Sequence, residues 1–184
     1  MKLNLRWFLP CVVVLAAAPA HATAIFDVFA LEHSTIISSG GVITGTGLNT
    51  GISLDAGDVI HVSAAVDDCW SAGAGSRVSN ADGLTGALTP CTPGANFGLL
   101  SVGSFSAPFG ALVGRIGTDL YLLGTSFTGP VLSSGVLELF YWDTTTIDNF
   151  GSVAVSVDVV PEPGTAFLVL LGLAGLGVAS RKRR

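Results

Sequence analysis

Charged residues are scarce in this chain. Only 11% of its 184 residues are Asp, Glu, Lys or Arg, whereas soluble domains typically contain about 25%. With eight Lys and Arg residues and a formal net charge of −5, the chain lacks the basic surface of a nucleic-acid-binding domain. A hydrophobic fraction of 49% excludes a disordered chain, because disordered segments contain few apolar residues. The composition favours a folded protein without a nucleic-acid partner.

Catalytic motifs are absent as well. The sequence contains no G-x-S-x-G, no H-E-x-x-H and no phosphate-binding glycine loop. His61 lies in an alternating apolar run, which predicts an outward-facing strand residue. Because no spacing supports catalysis, we predict that the protein is not an enzyme. A glycosidase-like pair of carboxylates stays open, since their separation cannot be read from sequence.

The first 24 residues predict a secretory signal peptide. Lys2 and Arg6 precede an uncharged run over residues 7–18, and small residues suited to cleavage follow that run. A first membrane helix is the alternative, but Pro10 interrupts the run, which is short for a span. We therefore expect export through the inner membrane into an oxidising compartment.

The C-terminal segment has three parts in a fixed order. Pro161-Glu162-Pro163 comes first, followed by the 17 uncharged residues 164–180 and by the basic tail Arg181, Lys182, Arg183 and Arg184. Seventeen helical residues would span roughly 25 Å, enough for a thin hydrocarbon core. Basic flanks stay on the cytoplasmic side. We predict a transmembrane helix over 164–180, with the preceding residues facing outward.

This order of tripeptide, apolar helix and basic cluster resembles the PEP-CTERM sorting signal of Gram-negative bacteria. The resemblance implies that residues 161–184 are recognised by a membrane protease, an exosortase, and are processed near Pro-Glu-Pro. It also implies a cell-envelope protein that is anchored in the membrane by its helix until processing and is then surface-bound or secreted. The resemblance associates such proteins with exopolysaccharide.

Residues 25–160 remain as one exported domain once both ends are set aside. This body has two basic residues against twelve acidic ones, a net charge of −10, and therefore attracts cations. Its apolar residues fall into short runs at 25–31, 59–66, 111–116, 120–123, 136–142 and 153–159. Valine alternates with small or polar residues in the last run, which is the period of a half-buried strand. With turn clusters such as Thr128-Gly129-Pro130 between the runs, the pattern predicts an all-β, jelly-roll-like sandwich.

The stretch over residues 67–108 shows no regular pattern, and we expect a long loop there. It holds Cys69 and Cys91, the two cysteines outside the signal peptide. In an oxidising compartment two such cysteines predict a disulfide.

Hard oxygen ligands are concentrated in residues 143–149. Asp143, Asp148 and Asn149 lie within seven residues, together with turning backbone carbonyls, and calcium takes six to eight oxygen ligands of these kinds. An ordinary hairpin loop is the alternative, because Asp, Asn and Thr are also common in turns.

Three ordered segments, 55–65, 110–117 and 148–155, resemble the bacterial galactophilic calcium lectins and their wider domain family. The resemblance implies a galactose-binding-like β-sandwich in which calcium holds two sugar hydroxyls. It implies calcium ligands at the side chains of Asp143, Asp148 and Asn149 and at the carbonyls of Thr145 and Gly73, with sugar contacts at Asp143 and Asn149. No histidine lies between residues 67 and 108, unlike in the sugar-binding loop of that family.

These observations predict an exported, exosortase-sorted envelope protein with a non-catalytic, calcium-dependent carbohydrate-binding module that associates with exopolysaccharide. The first alternative is a structural or adhesive surface protein without sugar binding. A glycan-active enzyme is the remote alternative.

Overall fold

The computed structural model describes residues 23–35, 43–73, 75–91 and 95–160. Within these ranges the chain forms twelve strands and no helix, and so no helix that could span a membrane. Residues 1–22 of the predicted signal peptide and the helix predicted at 164–180 lie outside the described residues, whereas Ala24, the last residue of that predicted peptide, is the first residue of β1. The strands are β1 (Ala24–Phe29), β2 (Leu48–Leu54), β3 (Val59–Ala64), β4 (Trp70–Ser71), β5 (Val78–Ser79), β6 (Leu99–Val102), β7 (Phe105–Pro108), β8 (Leu112–Ile116), β9 (Asp119–Leu122), β10 (Ser126–Pro130), β11 (Gly135–Tyr141) and β12 (Phe150–Val160).

Two antiparallel sheets form a sandwich-like fold. The predicted all-β class is confirmed for the described residues. The first has the order β10-β3-β12-β4-β5, and β1 also pairs with β12; the second has the order β2-β11-β8-β9. Strands β6 and β7 form a separate hairpin. The main core contains side chains from both sheets, including Ile60 and Val155 from the first and Leu112 and Leu139 from the second.

The alternation of valines places one face of β12 in this core. Val153, Val155 and Val157 are at most 1% exposed, whereas Ala154 between them is exposed. The strand pairs with β1, β3 and β4 and so connects much of its sheet. The two-residue period in the sequence therefore identifies this strand and its buried face correctly.

Strand β11 is apolar on both faces because both faces are covered. Leu137 and Leu139 lie in the main core. Phe140 on the opposite face is fully buried, and the Arg115 guanidinium lies 4.9 Å from the centre of its ring. Directly after the strand, Trp142 packs edge-to-face on Phe105 of the β6–β7 hairpin, with ring centres 5.2 Å apart. Burial from both sides explains the continuous apolar run.

Two expectations about turns and loops are wrong. Thr128-Gly129-Pro130 belongs to β10 and is not a turn. Among the described strands, β10 is at a sheet edge with β3 as its single partner, and proline is tolerated at edges because no neighbour needs its missing N–H. Residues 67–108 are not one long loop either, because they contain β4, β5, β6 and β7.

The predicted disulfide between Cys69 and Cys91 is confirmed, with a Cα–Cα distance of 5.5 Å. It ties the residue before β4 to the segment between β5 and β6. Trp70 and Leu84, in the same part of the chain, are about as buried as any core residue, at 1% exposure each. This region is therefore packed against the sandwich.

Candidate functional site

Residues 143–149, here called the acidic loop, join β11 to β12. Strand β12 pairs with β4 at its beginning, with Phe150 opposite Ser71 and Gly151 opposite Trp70. This register brings the end of the acidic loop next to the turn that follows β4, in which residues 72, 73 and 75–77 are described. Gly151 permits the approach, because a Cβ there would lie 3.1 Å from the Cys69 carbonyl oxygen.

Asp143 is buried and held in one orientation. It is 6% exposed, and its Oδ1 accepts hydrogen bonds from the backbone N–H groups of Thr144 at 2.6 Å and Thr145 at 3.4 Å. The Thr35 hydroxyl donates to the Asp143 carbonyl at 2.6 Å. The Asp143 N–H in turn donates to that hydroxyl at 3.1 Å. The carboxylate is thus positioned before any ligand arrives.

Asn149 has a buried oxygen with no hydrogen-bond partner. The residue is 4% exposed, and its Nδ2 donates to the Thr145 carbonyl and to the Ser34 hydroxyl, both at 2.8 Å. These two bonds fix which end of the amide is nitrogen. Within the described part of the chain, Asn149 Oδ1 accepts no hydrogen bond. An unsatisfied buried acceptor costs about 1–3 kcal/mol, so this oxygen is available for a cation.

The charge balance at the acidic loop also favours a cation. Burial raises the pKa of Asp143, and the charge of Asp148 adds to the rise. The Thr144 and Thr145 backbone N–H groups and the Asn149 side chain oppose it. Burial, together with the charges of Asp143 and Asp148, also holds the pKa of Tyr141 far above its usual range. A bound cation would offset the negative charge that raises both pKa values.

Asp148 and Gly73 meet across the two loops. A Cβ on Gly73 would lie only 2.4 Å from Asp148 Oδ2 and would displace that carboxylate, and the φ of +111° at Gly73 favours glycine. The Gly73 carbonyl oxygen accepts a hydrogen bond from the Ser71 hydroxyl at 2.5 Å. Asp148 Oδ2 lies 3.4 Å from Arg77 Nη1. The residues suggested as calcium ligands by the lectin resemblance therefore come from two neighbouring loops.

A cavity of about 320 Å³ opens at this place. The acidic loop contributes Asp143, Thr144, Thr145 and Asp148, and the opposite wall is formed by Ala72, Arg77, Leu84, Phe97 and Phe109. Sequence reasoning missed this second wall and the Thr35 and Ser34 contacts behind the acidic loop. Of these residues, only Arg77 stands out in the sequence, because it is one of two basic residues in residues 25–160.

Other ionisable groups lie elsewhere. A larger open cavity of about 700 Å³ adjoins Arg115, whose charge is neutralised by Glu138 at 2.6 Å. His61 projects from β3 opposite Ile60 and Val62, as its alternation predicts, and its Nδ1 lies 2.7 Å from the Thr128 hydroxyl. Among the described side chains no group of three or more His, Cys, Asp or Glu could hold a metal. A cation at the acidic loop would therefore need amide and carbonyl ligands as well.

The C-terminal segment is similar to a known protein-sorting signal. Residues 159–184 match the PEP-CTERM protein-sorting motif. The chain carries a PEP-CTERM sorting motif. The prediction made from Pro161-Glu162-Pro163 and the basic tail is thereby confirmed, and the motif indicates export and sorting to the envelope.

The described β-sandwich is similar to solved protein structures. No curated protein matches the chain. A solved structure described as "EclA N-terminal domain; PllA-like lectin" is similar over 74% of this chain and 95% of its own, with 23% sequence identity and a TM-score of 0.49. The description of that structure names a lectin.

Proposed function

We propose that this protein is an exported envelope protein whose β-sandwich binds carbohydrate through a calcium ion at the acidic loop. The observation that carries the proposal is the buried Asn149 Oδ1, which accepts no hydrogen bond from the described residues and belongs to a side chain that interacts with the buried carboxylate of Asp143. Asp143 lines the cavity of about 320 Å³, whereas Asn149 lies behind it. A buried carboxylate and a buried amide oxygen with free acceptor capacity are hard oxygen ligands, which calcium prefers.

The described residues can supply most of a calcium coordination shell. Asp143 and Asp148 offer carboxylates, Asn149 offers Oδ1, and the carbonyls of Thr145 and Gly73 each keep a second lone pair beside the hydrogen bond they already accept. Calcium takes six to eight oxygen ligands. When bound, the ion would therefore supply open coordination positions for two hydroxyls of a sugar.

The chain's own side chains would orient that sugar. Asp143 would accept a hydrogen bond from a sugar hydroxyl, and Asn149 would contact a neighbouring hydroxyl. Phe97 is 43% exposed and lines the cavity with Phe109, which gives the apolar face of a sugar ring a surface to pack on. These contacts bind and position a sugar without a proton transfer, so we propose a non-catalytic module.

Calcium is expected to stabilise the exported protein, by about 2.7 kcal/mol at 100 times its dissociation constant. It should also be required for binding on a glycan array. Asp143→Asn removes a ligand charge and should weaken calcium binding by about tenfold or more. Thermal unfolding, calcium titration calorimetry and the array with and without chelator measure these effects.

Asp27→Asn is the matched control, because Asp27 is exposed on β1, pairs with Ala154 of β12 and does not line the cavity. This variant should keep wild-type calcium affinity. If wild-type protein takes up no calcium and binds no glycan, it is a structural or adhesive surface protein instead. Glycan hydrolysis on the array would favour the enzyme alternative.

We also propose that an exosortase processes the chain near Pro161-Glu162-Pro163 and that residues 164–180 anchor it in the membrane until then. Three alanines in place of the tripeptide should leave the protein exported but unprocessed, because the linear signal is lost. Mass spectrometry of the envelope protein measures whether the C-terminal segment is retained, with the wild-type chain as the reference. Normal processing of the variant would refute this assignment.

A further inference from the structure

Arg77 lies between oxygen atoms of both loops at the cavity. Its Nη1 donates to the Ala72 carbonyl at 3.3 Å and to Asp148 Oδ2 at 3.4 Å. A Cβ on Gly73 would lie 3.2 Å from Nη1 and 2.4 Å from Asp148 Oδ2, so the guanidinium, the carboxylate and the turn converge at one point. A positive charge that bridges a carbonyl and a carboxylate has the ligands that a metal ion would take there.

The bridge is loose enough to open. Charge-assisted N–H···O bonds are typically about 2.7–2.9 Å long, and both of these contacts are longer. The side chains of Arg77 and Asp148 are each 45% exposed, so water weakens their attraction. The Arg77 guanidinium also lies 5.5 Å from the centre of the Phe97 ring. That cation–π contact can hold the side chain at the cavity wall once Asp148 is lost as a partner.

Arg115, the other basic residue of residues 25–160, lies away from this position. The sequence of residues 25–160 contains two basic residues, Arg77 and Arg115. Arg115 is paired with Glu138 at 2.6 Å on the second sheet and does not line this cavity. Arg77 is therefore the one positive side chain of the body at the acidic loop.

We propose that the Arg77 guanidinium occupies the position of a bound cation and joins the two loops in the metal-free protein. Calcium must then displace this guanidinium from Asp148 in order to bind. The inference rests on the proposed function, because calcium is the competing ion. Like charges at a few ångströms repel each other even at an effective dielectric constant of about 20. Arg77 therefore lowers the affinity for calcium and keeps the loops joined without it.

Arg77→Gln should raise calcium affinity by about tenfold, because it removes a repelling and competing charge. In the metal-free protein it should lower the melting temperature by about 1–3 °C, through loss of the bridge. Arg77→Lys keeps the charge and should stay within about threefold of wild-type affinity. Arg115→Gln is the matched control, and its calcium affinity should equal that of wild type. Calorimetry gives the dissociation constants, and calorimetric melting in chelator gives the metal-free stability.

The outcomes separate this inference from the proposed function. Calcium binding by Arg77→Gln that is no tighter than wild type would overturn the inference while the proposed function stands. If neither protein binds calcium, the proposed calcium site fails. Melting in chelator then tests whether the guanidinium joins the loops in the metal-free protein. An Arg77→Gln variant that melts at the wild-type temperature would show that it does not.

Discussion

Replacing Trp70 by alanine is expected to lower the free energy of unfolding by about 3–5 kcal/mol. Trp70 is 1% exposed, and its Nε1 donates to the Gly110 carbonyl at 2.8 Å and to the Asn80 carbonyl at 3.2 Å. Its ring packs edge-to-face on Tyr141, with centres 4.7 Å apart. Alanine would leave a large cavity and remove the donor to two buried carbonyls.

Two further variants make this expectation sharper. Trp70→Phe keeps an aromatic ring but removes the N–H donor, and should cost about 1–3 kcal/mol for the two hydrogen bonds lost. Leu88→Ala is the control, because Leu88 is 82% exposed and should change stability by less than about 0.5 kcal/mol. Urea unfolding followed by circular dichroism gives all three values. A Trp70→Ala protein within about 1 kcal/mol of wild type would contradict the role of this side chain in the core.

Replacing both Cys69 and Cys91 by serine should lower the free energy of unfolding by about 3–4 kcal/mol. The disulfide closes a loop with a sequence separation of 22. In the chain-entropy model, opening a loop of that length returns this much conformational freedom to the unfolded chain. The link matters for the site as well, because Cys69 directly precedes the strand that pairs with the start of β12.

Chemical reduction provides an independent comparison. Wild-type protein unfolded in a reducing agent should lose the same stability as the double serine variant, and the reducing agent should not change the variant further. Guanidinium unfolding under both conditions measures the loss. Equal stability of the oxidised wild type and the variant would mean that the disulfide does not stabilise this fold.

Local pattern was sufficient for six of the twelve strands in the described residues. Each of the six apolar runs contains or overlaps a strand, and these strands are β1, β3, β8, β9, β11 and β12. The pattern works because successive side chains of a strand point to opposite faces, so burial on one face leaves a two-residue period in the sequence. Residues 136–142 lack that period, and the structure explains it by burial on both faces.

Short and peripheral strands left no such pattern. Strand β2 alternates half-buried and exposed residues until Leu54, so few of its positions need to be apolar. Strands β4 and β5 have two residues each, too few for any period. Their pairing partners lie far along the chain or across turns, and pairing of this kind is decided by register rather than by local propensity.

The sequence by itself determined the sorting motif and the ligand types of the acidic loop. A sorting signal is recognised as a linear segment. The side chains of Asp143, Asp148 and Asn149 offer hard oxygen ligands in any fold. Only the tertiary structure decided that Asn149 Oδ1 is buried with no hydrogen-bond partner among the described residues and that Gly73 and Arg77 reach Asp148. The physical reason is the pairing of β12 with β4, which joins residues about eighty positions apart. Local sequence constrains such long-range pairing only weakly, because the pairing depends on the packing of the whole sandwich.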